Sequence, residues 1–284
     1  MTTGSCLCGD IGFVIDGALR EMGNCHCSMC RKFHGSAFAT FGIAPPEQFR
    51  WTVGEEKIVS YASSPGGGRV FCPRCGSAVP AAPPGAPFVL VPVGTIDEDP
   101  GGRPELHFFV GSKAPWYTIH DDLPRHEAWP PQFGEADVVE RPAREPETAG
   151  ATAGSCLCGV VTFEFDGVPE RMLNCYCSRC RKATGGAHST LLFVASAAFR
   201  WLGGEEEVVV YEIPDAVVMG SAFCRICGSP MPRAIDSRGV YMIPGGCLDT
   251  DPAARPSAHI FVDSKAPWVA IHDDVPQFAE YPTS

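Results

Sequence analysis

The sequence has no long apolar run and comparatively few basic residues. No stretch approaches the roughly 18 consecutive apolar residues that a membrane-spanning helix needs, so we expect no membrane partner. Lys and Arg together number 22 against 33 Asp and Glu, and the formal net charge is −11. Because surfaces that bind nucleic acid are basic, this balance argues against nucleic acid as a partner.

The first residues also lack the features of a secretory signal. The segment from Met1 to Cys6 has no basic residue and does not open a long apolar stretch. A signal peptide needs both features. We therefore expect no signal peptide and a cytoplasmic, reducing setting, in which disulfide frameworks are rare.

Long helical patterns are scarce, and the pattern predicts a mainly β fold. With 31 Gly and 27 Pro, the chain breaks its apolar runs into short pieces rich in β-branched and aromatic residues. One short helix is predicted in each half, beginning near Ser28 or Ser178, where the serine can act as N-cap. The predicted strands are 11–15, 37–43, 48–53, 57–61, 68–72, 88–93 and 106–110, then 160–165, 187–194, 198–202, 207–213, 217–224, 239–243 and 258–262.

The chain repeats itself. The segment Gly4–Gly9 returns as Gly154–Gly159, an offset of 150, and Phe71–Ser77 returns as Phe223–Ser229, an offset of 152. Ser112–Trp116 returns in the same order, which indicates duplication of one domain. We predict domains at 1–133 and 154–284, joined by a linker at 134–153 whose Pro-, Glu- and Ala-rich composition is poor in large apolar groups.

Cysteine, in contrast, is abundant, with 15 residues in the chain. In a reducing compartment, clustered cysteines indicate metal ligands, and disulfides, a redox pair or an iron–sulfur cluster remain as alternatives. Each repeat has seven cysteines in motifs, which suits one four-thiolate site and one three-thiolate site. The predicted closed zinc sites are Cys6, Cys8, Cys72 and Cys75 in the first repeat and Cys156, Cys158, Cys224 and Cys227 in the second.

The remaining cysteines form a compact cluster in each repeat. The ligands predicted for these clusters are Cys25, Cys27 and Cys30, and Cys175, Cys177 and Cys180. Three thiolates leave one position of a tetrahedral zinc ion open, as in catalytic sites. His26 could be a fourth ligand or an exposed loop residue. The cations that follow are either solvated or bind an anionic substrate; they are Arg31, Lys32, Arg181 and Lys182.

These motifs resemble the glutathione-dependent formaldehyde-activating enzyme family, also called the CENP-V/GFA domain. The resemblance rests on Gly4–Gly9, Cys25–Lys32, Phe71–Ser77 and Ser112–Trp116. It implies two Mss4-like zinc-binding β domains in tandem, each with a structural zinc on four cysteines and a catalytic zinc on three. It also implies a carbon–sulfur lyase activity that joins formaldehyde to glutathione as S-hydroxymethylglutathione, with a small thiol and an aldehyde as partners.

The two repeats differ at three positions near these motifs. His26 is matched by Tyr176, Phe38 by His188, and Arg69 by Ser221. These changes favour the first repeat as the more active one. The hypothesis of a zinc-dependent enzyme stands beside an alternative, a zinc-stabilised binding or scaffold module without activity.

Overall fold

The computed structural model describes residues 1–65, 67–131, 141–214, 216 and 220–282, and these residues are mainly short β-strands. The predicted mainly β fold is confirmed. The first repeat contains β1 Thr2–Ser5, β2 Gly12–Ile15, β3 Arg20–Cys25, α1 Ser28–His34, β4 Ala39–Ala44, β5 Phe49–Val53, β6 Val59–Ser64, β7 Gly67–Phe71, β8 Val89–Pro92, β9 Leu106–Phe108 and β10 Arg125–His126. The second contains β11 Thr152–Ser155, β12 Thr162–Phe165, β13 Arg171–Cys175, α2 Ser178–Thr184, β14 Ser189–Ala195, β15 Phe199–Gly203, β16 Val208–Glu212, β17 Gly220–Cys224, β18 Arg233–Ile235, β19 Val240–Pro244, β20 His259–Ile260 and β21 Gln277–Phe278.

The two repeats share one topology. In the first, a three-stranded sheet has the order β1-β2-β5, a five-stranded sheet has the order β10-β9-β3-β4-β8, and β6 and β7 form a hairpin. The second has β11-β12-β15, a larger sheet β18-β19-β14-β13-β20-β21 and the hairpin β16-β17. Each predicted strand overlaps an observed strand, although 217–219 lie outside the described residues.

The sequence missed the strand that ends in Cys25, the first residue of the three-cysteine cluster. β3 contains Glu21, Gly23 and Asn24, which are poor strand formers in isolation, yet it lies at the centre of its sheet between β4 and β9. A buried hydrogen bond fixes it there, because Thr40 Oγ1 donates to Asn24 Oδ1 at 2.8 Å. Pairing with neighbouring strands, rather than local preference, therefore decides this element.

The helices begin at the predicted serines, but the predicted cap is wrong. The N-cap of α1 is Cys27, whose Sγ accepts a hydrogen bond from the backbone N–H of Cys30, and Cys177 caps α2 in the same way. Ser28 and Ser178 are the first helical residues, so their hydroxyls lie one position too late to cap. Cys27 and Cys177, which end the loop before each helix, therefore also act as its N-cap.

The two repeats pack against each other through a continuous apolar core. Phe71 of the first repeat lies edge-on to Phe223 of the second, with ring centroids 6.3 Å apart. The backbones also meet directly, because the N–H of Gly94 donates to the carbonyl of Gly185 at 3.0 Å. A Cβ at Gly94 would lie 2.2 Å from Gly186 O, so the contact requires glycine. The repeats thus form one body with an internal interface.

The predicted linker is described only in part. Residues 134–140 lie outside the described residues, and Thr152 and Ala153 already belong to β11. At Arg141 the chain runs against the start of α1, where the backbone N–H of Arg141 donates to Ser28 Oγ at 3.2 Å. This part of the connection therefore packs beside the three-cysteine cluster of the first repeat.

Candidate metal centres and their clefts

The four-cysteine sets predicted from the sequence come together in both repeats. The Sγ atoms of each set lie within 4.8 Å of one another, so each set could hold a metal ion. In the first repeat, Cys6 and Cys8 follow β1, while Cys72 and Cys75 follow β7. Two strands distant in sequence are therefore joined at this point, as expected for a structural metal site.

Backbone geometry supports thiolate chemistry at these sites. The N–H of Ile11 points at Cys6 Sγ at 3.4 Å, and the N–H of Val161 points at Cys156 Sγ at 3.3 Å. Gly76, directly after the second cysteine of the pair, has φ +76°, a conformation that favours glycine. Thiolates with backbone donors are the ligands that zinc prefers, so these residues fit the ion.

The three-cysteine sets also come together, around the start of each helix. Cys25 ends β3, Cys27 caps α1 and Cys30 lies in its first turn, and the three Sγ atoms lie within 4.8 Å of one another. Among the described residues, no further His, Cys, Asp or Glu atom completes this set or its counterpart in the second repeat. The arrangement fits a soft divalent ion with three protein ligands.

Hydrogen bonds within each small cluster favour one thiolate. Donation from Cys25 and Cys30 lowers the pKa of Cys27 well below its usual value, and donation from Cys175 and Cys180 lowers the pKa of Cys177 to about 3. In both repeats the favoured thiolate is the helix-capping cysteine, which also accepts a backbone N–H. The N-cap cysteine of each helix is therefore the member of its cluster that most readily becomes a thiolate, the form that binds a metal ion.

His26 is neither a ligand nor an exposed loop residue, so both sequence interpretations are wrong. Its side chain is completely buried, and its Nε2 lies 2.8 Å from His107 Nδ1. His107 Nε2 in turn lies 3.0 Å from Asp121 Oδ1. In the second repeat Tyr176 takes the place of His26. Burial, and after it the nearby charge of His107, lower the pKa of His26 to about 3, so the ring is neutral.

The predicted substrate-binding lysines instead join the two repeats. Lys32 Nζ lies 2.8 Å from Asp249 Oδ1, and both side chains are almost inaccessible at 5% and 1% exposure. Lys182 makes the corresponding contact with Asp97 at 2.6 Å. The sequence pattern could not show these partners, because each lies in the other repeat.

The two arginines of the same motif have different surroundings. Arg31 lies close enough to Lys113 to contribute to lowering its pKa, after burial, which is the largest cause. Arg181 Nη2 lies 3.5 Å from Ser264 O. Arg181 therefore lies on the side of α2 that faces the Ser-Lys-Ala-Pro-Trp segment of its own repeat.

A cleft of about 770 Å³ opens beside the cluster of the first repeat. Cys25, Cys27 and Cys30 form part of its wall, which also contains aromatic side chains such as Phe108 and Trp129. Arg69 is the cation at this cluster, since its Nη2 lies 3.7 Å from Cys30 Sγ. The sequence shows that Arg69 has no counterpart in the second repeat, but it assigned this arginine no role. The signal that could have identified Arg69 was its position two residues before Phe71, in the hairpin that leads to the Cys-x-x-Cys motif.

The cluster of the second repeat has a cleft of its own, of about 710 Å³. Cys175, Cys177 and Cys180 contribute to its wall, which also contains Phe261 and Tyr281, but Ser221 stands where the first repeat has Arg69. Each cleft therefore has its own three-cysteine cluster in its wall, and the two clefts differ in the side chains around that cluster.

The family model of the glutathione-dependent formaldehyde-activating enzymes matches residues 1–112 and 151–264, which is most of both repeats. The chain belongs to this family. The two matched segments also agree with the tandem duplication read from the motifs, and they contain all four cysteine clusters of this family member.

Two known proteins are similar to parts of the chain. A Halomonas elongata protein named "Putative glutathione-dependent formaldehyde-activating enzyme" is 30% identical over 138 residues, which are 45% of this chain and 87% of that protein. A crystal structure of a Rhodobacter sphaeroides protein covers 37% of this chain and 97% of its own, at 22% identity and a TM-score of 0.30. Within the described part of this family member, no helix is long and apolar enough to cross a membrane.

Proposed function

We propose that this chain is a zinc-dependent carbon–sulfur lyase that forms and cleaves adducts of glutathione, or another small thiol, with an aldehyde such as formaldehyde. The observation that carries the proposal is the three-cysteine cluster in the wall of a cleft of about 770 Å³, without a fourth ligand among the described residues. A site of this kind keeps one coordination position for a substrate.

The proposed zinc content is two ions per repeat. The catalytic ions would be held by Cys25, Cys27 and Cys30 and by the corresponding cysteines of the second repeat. The structural ions would be held by the four-cysteine sets. We place the domains at 1–133 and 154–284, the protein in the cytoplasm, and Arg31 and Arg181 among the residues that act on the substrate.

The chemistry follows from the donor set. When bound at the open cluster, zinc would lower the pKa of a coordinating thiol and so supply a nucleophilic sulfur. In the bond-forming direction the thiol gives its proton to water, its sulfur attacks the aldehyde carbon, the π pair of the carbonyl moves to oxygen, and that oxygen takes a proton back from water, so that no net proton is released. The reverse sequence cleaves the adduct. The cysteines hold the site, and the cleft walls orient the aldehyde.

The test compares the cap cysteines with a cysteine outside the clusters. Cys27→Ser, alone and together with Cys177→Ser, should slow the exchange between glutathione, formaldehyde and their adduct, measured by NMR exchange spectroscopy. Cys247→Ser is the matched control, because Cys247 is buried and belongs to none of the four clusters. Circular dichroism checks the fold of each variant. Exchange at the wild-type rate in the folded double variant would leave a scaffold role as the better reading.

A further inference from the structure

Arg69 has an unusual environment for a cation. It lies on β7 opposite Tyr61, and its guanidinium approaches both Cys30 Sγ, at 3.7 Å, and the Phe33 ring, at 6.0 Å to the centroid. Its Nη1 donates to the adjacent carbonyl of Gly68 at 3.2 Å, and its Nε is buried with no hydrogen-bond partner. The guanidinium is therefore held at the cysteine cluster.

The counter-charge of Arg69 is the cluster itself. In the described part of the chain, no carboxylate pairs with Arg69. Other arginines of the chain do pair with carboxylates: Arg103 with Asp99 at 2.8 Å, and Arg233 with Glu212 at 2.7 Å. A partly buried cation is stabilised by a compensating anion, and the sulfurs of the cluster are the potential anions that its guanidinium contacts.

The second repeat lacks this cation at the equivalent position. Ser221 occupies the same register on β17, opposite Tyr211, and it lines the second cleft. Four other arginines line that cleft and do not replace Arg69. Arg171, Arg179 and Arg238 are exposed to solvent, which screens their charges, and Arg233 is paired with Glu212.

The difference changes the charge that each cluster can accept. A divalent ion with three thiolates carries a net charge of −1, and a fourth thiolate brings it to −2. A guanidinium beside the cluster reduces these values to 0 and −1. Because like charges repel most strongly where water is excluded, the first repeat should accept an anionic ligand more readily than the second.

We propose that Arg69 is the specificity-determining residue that lets the first cleft bind a thiol substrate as its thiolate, whereas the second cleft, with Ser221, favours a neutral ligand. This inference rests on the proposed function, since it concerns the substrate of the same site. It predicts that the tandem contains one thiolate-binding cleft and one cleft with a different ligand preference.

The experiment uses the full-length, zinc-loaded chain and isothermal titration calorimetry with glutathione. The wild type should bind glutathione at one site per chain. Arg69→Ser should weaken that binding at least tenfold, which corresponds to about 1.4 kcal/mol. Arg69→Lys keeps the charge and should retain affinity within about threefold. Ser221→Arg should create a second site per chain. Zinc content, measured by mass spectrometry, should be unchanged in all four proteins.

Two further results separate the explanations. S-methylglutathione has the same carboxylates but no free thiol, so its affinity should not change in Arg69→Ser; a loss equal to that of glutathione would overturn the thiolate assignment. Wild-type affinity for glutathione in Arg69→Ser would overturn this inference alone. Absence of glutathione binding in the wild type would overturn the proposed function together with it.

Discussion

Lys32 of the first repeat and Asp249 of the second form a buried ion pair, with 2.8 Å between Nζ and Oδ1. Ser155, also in the second repeat, contacts the same ammonium group, because its carbonyl accepts a hydrogen bond from Nζ at 2.9 Å. The Ser155 hydroxyl donates to Asp249 and so supports the carboxylate of the pair. The relationship makes the two repeats dependent on each other, since neither charge has this partner within its own repeat.

Removing one member of this pair should destabilise the whole tandem. Lys32→Ala leaves Asp249 buried without its cation, and we expect a loss of about 3 kcal/mol in the free energy of unfolding. Lys182→Ala is the matched control, because its pair with Asp97 is more exposed, at 18% and 40%; its loss should stay below about 1 kcal/mol. Denaturant unfolding followed by circular dichroism measures both, and equal losses would contradict the prediction.

The glycine contact between the repeats gives a second prediction. Gly94→Ala would place a Cβ 2.2 Å from the carbonyl oxygen of Gly186, and a backbone atom cannot move aside as a side chain can. We expect a loss of about 1–3 kcal/mol. Gly68→Ala serves as control, because its Cβ would meet nothing closer than 3.5 Å. Thermal melting compares the two variants, and an unchanged melting temperature for Gly94→Ala would be inconsistent with this packing.

Zinc content tests the division between the two kinds of cluster. The purified chain should carry about four zinc ions, and the double variant Cys27→Ser/Cys177→Ser should carry about two, because each substitution removes one of three ligands. Metal analysis by mass spectrometry after purification under reducing conditions provides the count. Two ions or fewer in the wild type would show that the three-cysteine clusters hold no zinc.

Loss of a four-cysteine site should unfold more than its own repeat. Cys72→Ser removes a ligand of a site whose metal contributes on the order of 10 kcal/mol. Because Phe71 and Phe223 belong to one core, the second repeat should also lose its resistance to proteolysis. Limited proteolysis followed by mass spectrometry identifies which fragments survive. A stable fragment covering 154–284 would show that the repeats fold separately. Cys224→Ser, which removes a ligand of the four-cysteine site in the second repeat, should likewise unfold both repeats.

Local chemistry in the sequence was enough to determine the repeat, the mainly β fold and the cysteine sets. Clusters such as Cys25, Cys27 and Cys30 lie within six positions, so spacing alone brings their sulfurs together. The Cys-x-Cys and Cys-x-x-Cys pairs were matched correctly because four thiolates complete a tetrahedral site. Strands with β-branched and aromatic residues were also found. β3 was missed, because its pairing partners stabilise it rather than its own residues.

Tertiary structure alone decided where the other polar side chains point. Lys32 and Lys182 follow a ligand motif, yet each finds its partner in the opposite repeat. His26 turns from the cluster toward His107, and Arg69 comes to the cluster from a distant hairpin. In each case the partner is far away in the sequence, and a buried charge or ring takes the direction in which its hydrogen bonds and counter-charges are satisfied. Spacing along the chain contains no information about that direction.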